Sequence, residues 1–250
     1  MNPPLISIIT AVYNGVSTLE ATILSVINQT YKNIEYIIID GGSSDGTINI
    51  IEKYENKITY WVSEPDKGIY DAWNKGLKIA SGEWICFVGS DDILYPYHAK
   101  TYIDYIRSLD QRRDYIYAKV DIVDIHGNYI RYNIGKPYEW NSFKKRMQNI
   151  HVGSMHSSEY FRQYGFFDTQ YKIIGDYEIL LRAKNKLKVG FINKTTLKMS
   201  LGGISSNIKT LLNESEMAKI KTAGRNKFIC FIEKYWYYLR IFLMKLVYGY

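Results

Sequence analysis

The sequence predicts an α/β domain: a mixed central sheet flanked by helices, with a helical extension at the C-terminus. Strand-like and helix-like patterns alternate over the first 95 residues, as in a half-domain built on parallel strands. Acidic residues close the strands or open the loops that follow them. The last fifty residues keep a helical period but are dense in aromatics. With 250 residues, 46% hydrophobic and 23% charged, the chain suits one large globular domain plus a short extension.

The first strand is Leu5 to Tyr13, closed by Asn14-Gly15, with Ser17 expected to cap a helix to about Gln29. Glu35 to Asp40 is the second strand, followed by G-G-S-S-D-G-T, where glycines let a ligand approach the backbone. Neither G-x-G-x-x-G nor the Lys-Ser/Thr pair of a phosphate loop is present. A helix to about Asn56 precedes a third strand, Ile58 to Ser63, which ends in S-E-P-D-K-G. A helix from Ile69 to Ala80 then leads through Ser81-Gly82 into the strand Glu83 to Val88. Its continuous apolar run fits a strand covered on both faces. The adjacent Asp91 and Asp92 have two readings. One of them, or Ser90, caps a helix beginning near Tyr95-Pro96. Otherwise two neighbouring carboxylates at a strand's carboxyl end, where open α/β sheets bind ligands, call for a divalent counter-charge.

The net charge of +7 points to an anionic partner such as nucleotide phosphates or acidic lipid. Nucleic acid is disfavoured because no recognisable binding motif accompanies the charge. Cys86 and Cys230 have no metal-ligand spacing and are expected as free thiols. No export signal is apparent at the N-terminus, and no run of 18 uncharged apolar residues occurs, so a cytoplasmic location is expected.

The ordered set T-A-V-Y-N, I-D-G-G-S-S-D-G-T, S-E-P-D-K-G-I-Y-D-A-W-N-K-G and A-S-G-E-W-I-C-F-V-G-S-D-D resembles the successive signatures of family 2 glycosyltransferases with the GT-A fold. The likeness covers about the first half of the chain. It implies a GT-A-like, Rossmann-related domain over 1–205, with a nucleotide-sugar-binding half (1–95) and an acceptor half (96–205). It further implies an inverting transferase that uses a nucleotide-diphosphate sugar, a UDP-sugar being expected. By the same resemblance Ala11, Val12, Tyr13 and Asp40 contact the nucleoside, with Asp40 facing the base, and Lys67 and Gly68 belong to the donor site. Asp91 lies near the ribose and the metal, and Asp92 binds Mn²⁺ or Mg²⁺ directly. Oxygen ligands suit such hard cations, whose role is to neutralise the leaving diphosphate.

In the second half a helix is expected from Pro96 to Leu109, then strands at Tyr115–Val123 and Tyr129–Ile134 joined at His126-Gly127-Asn128. A helix around Trp140 to Met147, a strand at Val152–His156 and a short helix capped by Ser157 or Ser158 follow. F-F-D-T-Q-Y-K-I-I-G-D-Y-E then resembles the family stretch that ends in a carboxylate opening a helix. Asp176 is that carboxylate and the implied general base; Gly175 stands where the family usually has a second acid. Glu178 is the alternative base, and Arg182 is expected to anchor another acid. His156 is a second-rank contact to diphosphate or acceptor. Residues 201–205, L-G-G-I-S, suit a loop that folds over bound donor.

From 206 to 250 the expectation is a helical extension. At about 100° per residue Lys227, Lys234 and Lys245 share one line, Glu233 and Arg240 a second, and nearly all else is apolar. Such a helix suits the headgroup layer of an anionic membrane, with lysines reaching outward. It would place the protein peripherally on the inner face of the cell membrane, near a saccharide or lipid-linked saccharide acceptor of surface-polysaccharide assembly. The Q-x-x-R-W signature of processive synthases is absent, so single additions are expected. The alternative is a non-catalytic sugar-nucleotide-binding or scaffold protein that keeps the fold.

Overall fold

The computed structural model describes residues 3–124, 126–201 and 207–248. The first half builds β1 (Ile6–Val12), α1 (Leu19–Ile27), β2 (Ile34–Asp40), α2 (Thr47–Lys53), β3 (Tyr60–Ser63), α3 (Ile69–Ile79) and β4 (Trp84–Gly89). These four strands run parallel in the order β3-β2-β1-β4. A parallel neighbour requires a crossover, and each crossover here is a helix. The carboxyl ends of all four strands therefore share one edge.

The second half adds β5 (Ile93–Leu94), α4 (His98–Arg107), β6 (Tyr115–Val123), β7 (Tyr129–Ile134), α5 (Trp140–Phe143), β8 (Met155–Ser157), α6 (Ser158–Tyr164), α7 (Gly175–Leu181) and β9 (Val189–Ser200). It closes with α8 (Ile208–Lys221) and α9 (Lys227–Tyr248). β8 joins the halves, pairing antiparallel with both β4 and β6. β6 also pairs parallel with β9, whose far end pairs antiparallel with β5. The sheet is thus mixed, as expected. The helix expected from Pro96 starts at His98, because Ile93 and Leu94 first pair with Leu197 and Lys198 of β9.

Alternation along the strands fills two cores. Ile8, Ile38, Cys86 and Val88 face α1, α2 and α4, which contribute Leu19, Ile23, Ile51, Tyr102 and Ile103. Ile9, Ile37, Ile39, Ile85 and Phe87 face the other way, onto Trp73 of α3, Phe161 of α6 and Ile179 to Leu181 of α7. Ala218 of α8 is fully buried in this second core, so α8 packs as part of the domain body. Both cysteines are buried free thiols.

Candidate active site

The loops after β1, β2, β3 and β4 meet at the shared edge. The β1 and β2 loops are zipped together: the Asn14 N–H donates to Ser43 Oγ (2.7 Å), Gly15 to Thr47 Oγ1 (2.9 Å), and Val16 to Asp45 Oδ2 (3.0 Å). Gly41 lies against Asp66 and Tyr13; a Cβ there would sit 2.5 Å from Asp66 Oδ2 and 3.5 Å from Tyr13 Cδ2. A Cβ on Gly15 would lie 3.4 Å from Ser90 Oγ, so the β1 loop also touches the segment after β4. Tyr13 projects from this edge, 66% exposed, while Val12 beside it is buried and Ala11 partly buried.

Asp40, expected to face the base, is engaged within the protein. Its carboxylate is fully buried and accepts from the Gly42 and Ser43 N–H groups and the hydroxyls of Ser43 and Ser63. It knits the β2 loop to the end of β3, leaving little acceptor capacity to face a base. In the next loop Lys67 is exposed, and its carbonyl accepts from Lys172 Nζ (3.2 Å). Gly68 takes φ +116° where α3 begins, and its N–H donates to Asp66 Oδ1 (2.7 Å).

Asp91 and Asp92 do not cap α4. The chain folds back after β4 so that both carboxylates approach Gly89, where a Cβ would lie 2.5 Å from Asp92 Oδ2 and 3.0 Å from Asp91 Oδ1. A side chain at position 89 would displace these carboxylates. Asp92 is turned inward: Oδ2 accepts from the Gly89 N–H and Oδ1 from the Ser200 N–H, each at 3.1 Å. Burial, then the neighbouring Asp91 charge, push its pKa up to about 7. Asp91 is more open, and its carboxylate makes no hydrogen bond or ion pair among the described residues. Burial raises its pKa as well.

Across the sheet, Asp176 lies in the first turn of α7. Burial pushes it up to about 6, against the Tyr177 N–H (2.8 Å) and the Tyr70 hydroxyl (3.2 Å), which favour the charged form. Glu178 is not a free base. It is buried, clasped by Arg182 through Nε and Nη2 (3.1 and 2.6 Å), and bonded by Thr222 Oγ1 (2.9 Å). Arg182 does anchor an acid, as expected, and also ties down the carbonyls of Tyr164 and Phe166. His156, expected as a contact to diphosphate or acceptor, is fully buried, with Nε2 2.9 Å from Nε2 of His151, among Phe87, Tyr115 and Phe161. Desolvation pulls both imidazoles down, His151 to about 3, so the pair is neutral. Residues 202–205 of the expected donor-covering loop lie outside the described residues.

The family model described as "Glycosyl transferase family 2" matches residues 7–167, more than half of the chain. The chain belongs to glycosyltransferase family 2. An uncharacterized glycosyltransferase of Rickettsia typhi is 30% identical over 223 residues, 85% of this chain and 69% of that protein. One from Rickettsia conorii is 30% identical over 205 residues, 78% of this chain, and the match spans only 33% of that protein. Among solved structures, S. aureus TarS in complex with UDP-GlcNAc superposes with TM-score 0.69 at 17% identity, over 90% of this chain and 69% of that one. The mannosyltransferase PcManGT of Pyrobaculum calidifontis, in complex with GDP-Man and Mn²⁺, gives TM-score 0.64 at 14% identity, over 93% of this chain and 69% of that one. The fold is GT-A.

Within this family 2 domain two residues matter that the sequence did not single out. Tyr70 packs its ring on Gly175, where a Cβ would come within 2.9–3.0 Å of it, so the second family acid has no room. Glu214 of α8 is buried and accepts the N–H groups of Lys172, Ile173 and Ile174 (2.8, 2.9 and 3.2 Å). It fixes the loop that ends at Asp176. The K-G-I-Y motif marked Tyr70's neighbourhood; nothing local in the sequence marks Glu214.

Proposed function

We propose that the protein is an inverting, metal-dependent, non-processive glycosyltransferase. It moves a sugar from a nucleotide-diphosphate sugar, a UDP-sugar by preference, to a saccharide hydroxyl. The observation that carries the reading is the pairing of two unlike carboxylates. Among the described residues Asp91 has no side-chain partner at the edge where four loops meet, while burial pushes Asp176 up to about 6 against the Tyr177 N–H and the Tyr70 hydroxyl. Titratable groups that their surroundings push to different tasks are a mark of acid–base sites.

Among the described residues no group of three or more His, Cys, Asp and Glu gathers as a metal centre. A shared site fits better, in which a donor diphosphate completes the coordination of Mn²⁺ or Mg²⁺. Asp91 suits the metal, because its carboxylate has no partner among the described residues. Asp92 suits a supporting role, because backbone N–H groups already hold both its oxygens. This exchanges the roles that the resemblance implied. When bound, the cation supplies charge neutralisation for the leaving diphosphate. Tyr13 and the Asp66–Gly68 turn flank the donor, and Asp176 takes the proton of the attacking hydroxyl. TarS with UDP-GlcNAc and PcManGT with GDP-Man and Mn²⁺ support the donor class and the metal by likeness of fold.

The acceptor in this reading is lipid-linked, as in surface-polysaccharide assembly, and the protein lies peripherally on an anionic inner membrane face. Support comes from α9. Its Glu233 pairs with Arg225 and its Lys234 with Glu216, so these polar residues face the body of the protein. Lys234 is thereby removed from the outward basic line expected of it. Outward instead are Phe228 at 71% exposure, Trp236 at 68%, and Ile232, Tyr235 and Leu239. No helix among the described residues is long and apolar enough to cross a membrane. An exposed aromatic face of this kind suits the headgroup boundary.

A donor screen measuring nucleotide release, with membrane extract as acceptor and Mn²⁺ or Mg²⁺ present, tests the activity. Release from one sugar nucleotide, stimulated by extract and abolished by chelator, is expected. Binding without release for every donor would favour a non-catalytic sugar-nucleotide protein. Vesicles rich in anionic lipid should sediment the wild-type protein but not a Phe228→Asp/Trp236→Asp variant. Equal sedimentation of both would remove the membrane from the account.

A further inference from the structure

A cavity of about 440 Å³ lies between α7, α8, α9 and the segment after α5, and Asp176 lines it. Its wall is mainly apolar, with Ile174, Leu211 and Leu212 among its residues. Four of its charged groups neutralise one another: Lys219 with Glu233 and Lys234 with Glu216. Two do not. Lys145 and Arg146 are exposed, form no ion pair among the described residues, and the Arg146 guanidinium sits 5.8 Å from the ring centre of Tyr237 on α9. A cation over an aromatic face is held in place while its donors stay free.

We propose that this cavity is the acceptor site and that it takes an amphiphile in which a saccharide is joined through phosphate to an apolar chain. The inference rests on the reading of Asp176 as the base. A free oligosaccharide is a poor occupant, because its many hydroxyls need partners. Apart from tyrosine hydroxyls and one thiol, the only uncharged polar side chain in the wall is Ser215. Phosphate matches the two unpaired cations, above all the planar guanidinium. The apolar chain suits the apolar wall of Ile174, Leu211 and Leu212, and Tyr237 in that wall is preceded in sequence by Trp236, which is exposed. The sugar end then meets Asp176 while the lipid end reaches the face assigned to the membrane. On this account α9 shapes the acceptor site as well as anchoring the protein.

The test uses the full chain and calorimetric titration with dodecyl phosphate, neutral dodecyl maltoside and inorganic phosphate, all below micelle concentrations. UDP with Mn²⁺ is titrated separately. Dodecyl phosphate should bind at least about tenfold tighter than either other probe, the size expected for one charge-assisted contact. Lys145→Gln/Arg146→Gln should remove that preference, and Ser215→Phe, which fills the cavity but leaves the outer face of α9 intact, should abolish dodecyl phosphate binding. UDP affinity should be unchanged in both variants, which also reports that they fold. Equal binding of charged and neutral alkyl probes would overturn the proposal, as would binding that survives Ser215→Phe. Tight inorganic phosphate alone would show an anion site without an amphiphile site and would overturn it too. Failure of the wild-type protein to bind UDP would instead strike the transferase reading on which the proposal stands.

Discussion

The Tyr70 hydroxyl lies 3.2 Å from Asp176 Oδ1, while its ring packs on Gly175 one residue earlier. The same hydroxyl donates to the Ile173 carbonyl at 2.7 Å, so one side chain of α3 braces the turn that presents the carboxylate. The donor-side helix thereby reaches across to the acceptor-side acid. That contact gives the first prediction.

Asp176 acts as a base only when ionised, so kcat should rise with pH through a midpoint of about 6 and level off above it. The Tyr70 contact lowers the pKa, so Tyr70→Phe should move the midpoint upward. A pH–rate series on both proteins checks this; a midpoint that stays put or falls in Tyr70→Phe would contradict it. The shift also has a stability sign. Between the ordinary 3.8 and about 6 the folded state keeps a proton the unfolded chain has lost, so this group's contribution falls as pH rises through that window.

Glu214 positions rather than reacts. Glu214→Ala leaves three backbone N–H groups of residues 172–174 without their acceptor and should cost about 1–3 kcal/mol of stability. It should lower kcat while the KM for donor stays near wild type, and Glu214→Gln should rescue part of the loss. Denaturant melts and steady-state kinetics separate these effects. A change confined to donor KM would show that Glu214 serves a different part of the site.

The two aspartates after β4 should part company on substitution. Asp91→Asn should abolish the Mn²⁺ dependence of UDP binding in a protein that melts normally, because that carboxylate has no partner among the described residues. Asp92→Asn should weaken the junction with Ser200 and lower the melting temperature, because one of two backbone contacts is lost. Titrating UDP with and without Mn²⁺ across both variants decides it. Metal dependence lost only in Asp92→Asn would restore the original order of roles.

Much of the fold was legible because parallel strands leave strong local traces. Apolar runs at Ile6–Val12, Ile34–Asp40 and Trp84–Gly89 are bounded by glycine or acidic turns, and β6 and β7 fell where their patterns placed them. β9 was not foreseen. Its polar middle, Asn193 to Thr195, breaks the apolar signal, and its pairing with β6 is long-range. The site was legible as a set of motifs but not as a set of roles. Adjacent aspartates look alike in sequence; Asp92 is set apart from Asp91 by the Gly89 N–H at its Oδ2 and by Ser200, 108 residues downstream, whose N–H takes up its Oδ1. His156 and Glu178 suited chemistry by type, yet a buried histidine neighbour and an arginine clasp had already engaged them. Tail periodicity separated polar from apolar residues on α9, but which side met the protein depended on Arg225 and Glu216.

The central claim is that Asp176 takes the proton of the attacking acceptor hydroxyl. Single-turnover transfer from saturating sugar nucleotide, wild type against Asp176→Asn, tests it most directly, with UDP affinity measured on the same samples. The account predicts a fall of about 10²–10⁴-fold in the rate at unchanged UDP affinity, the usual share of general-base catalysis. Transfer by Asp176→Asn at close to the wild-type rate would contradict it.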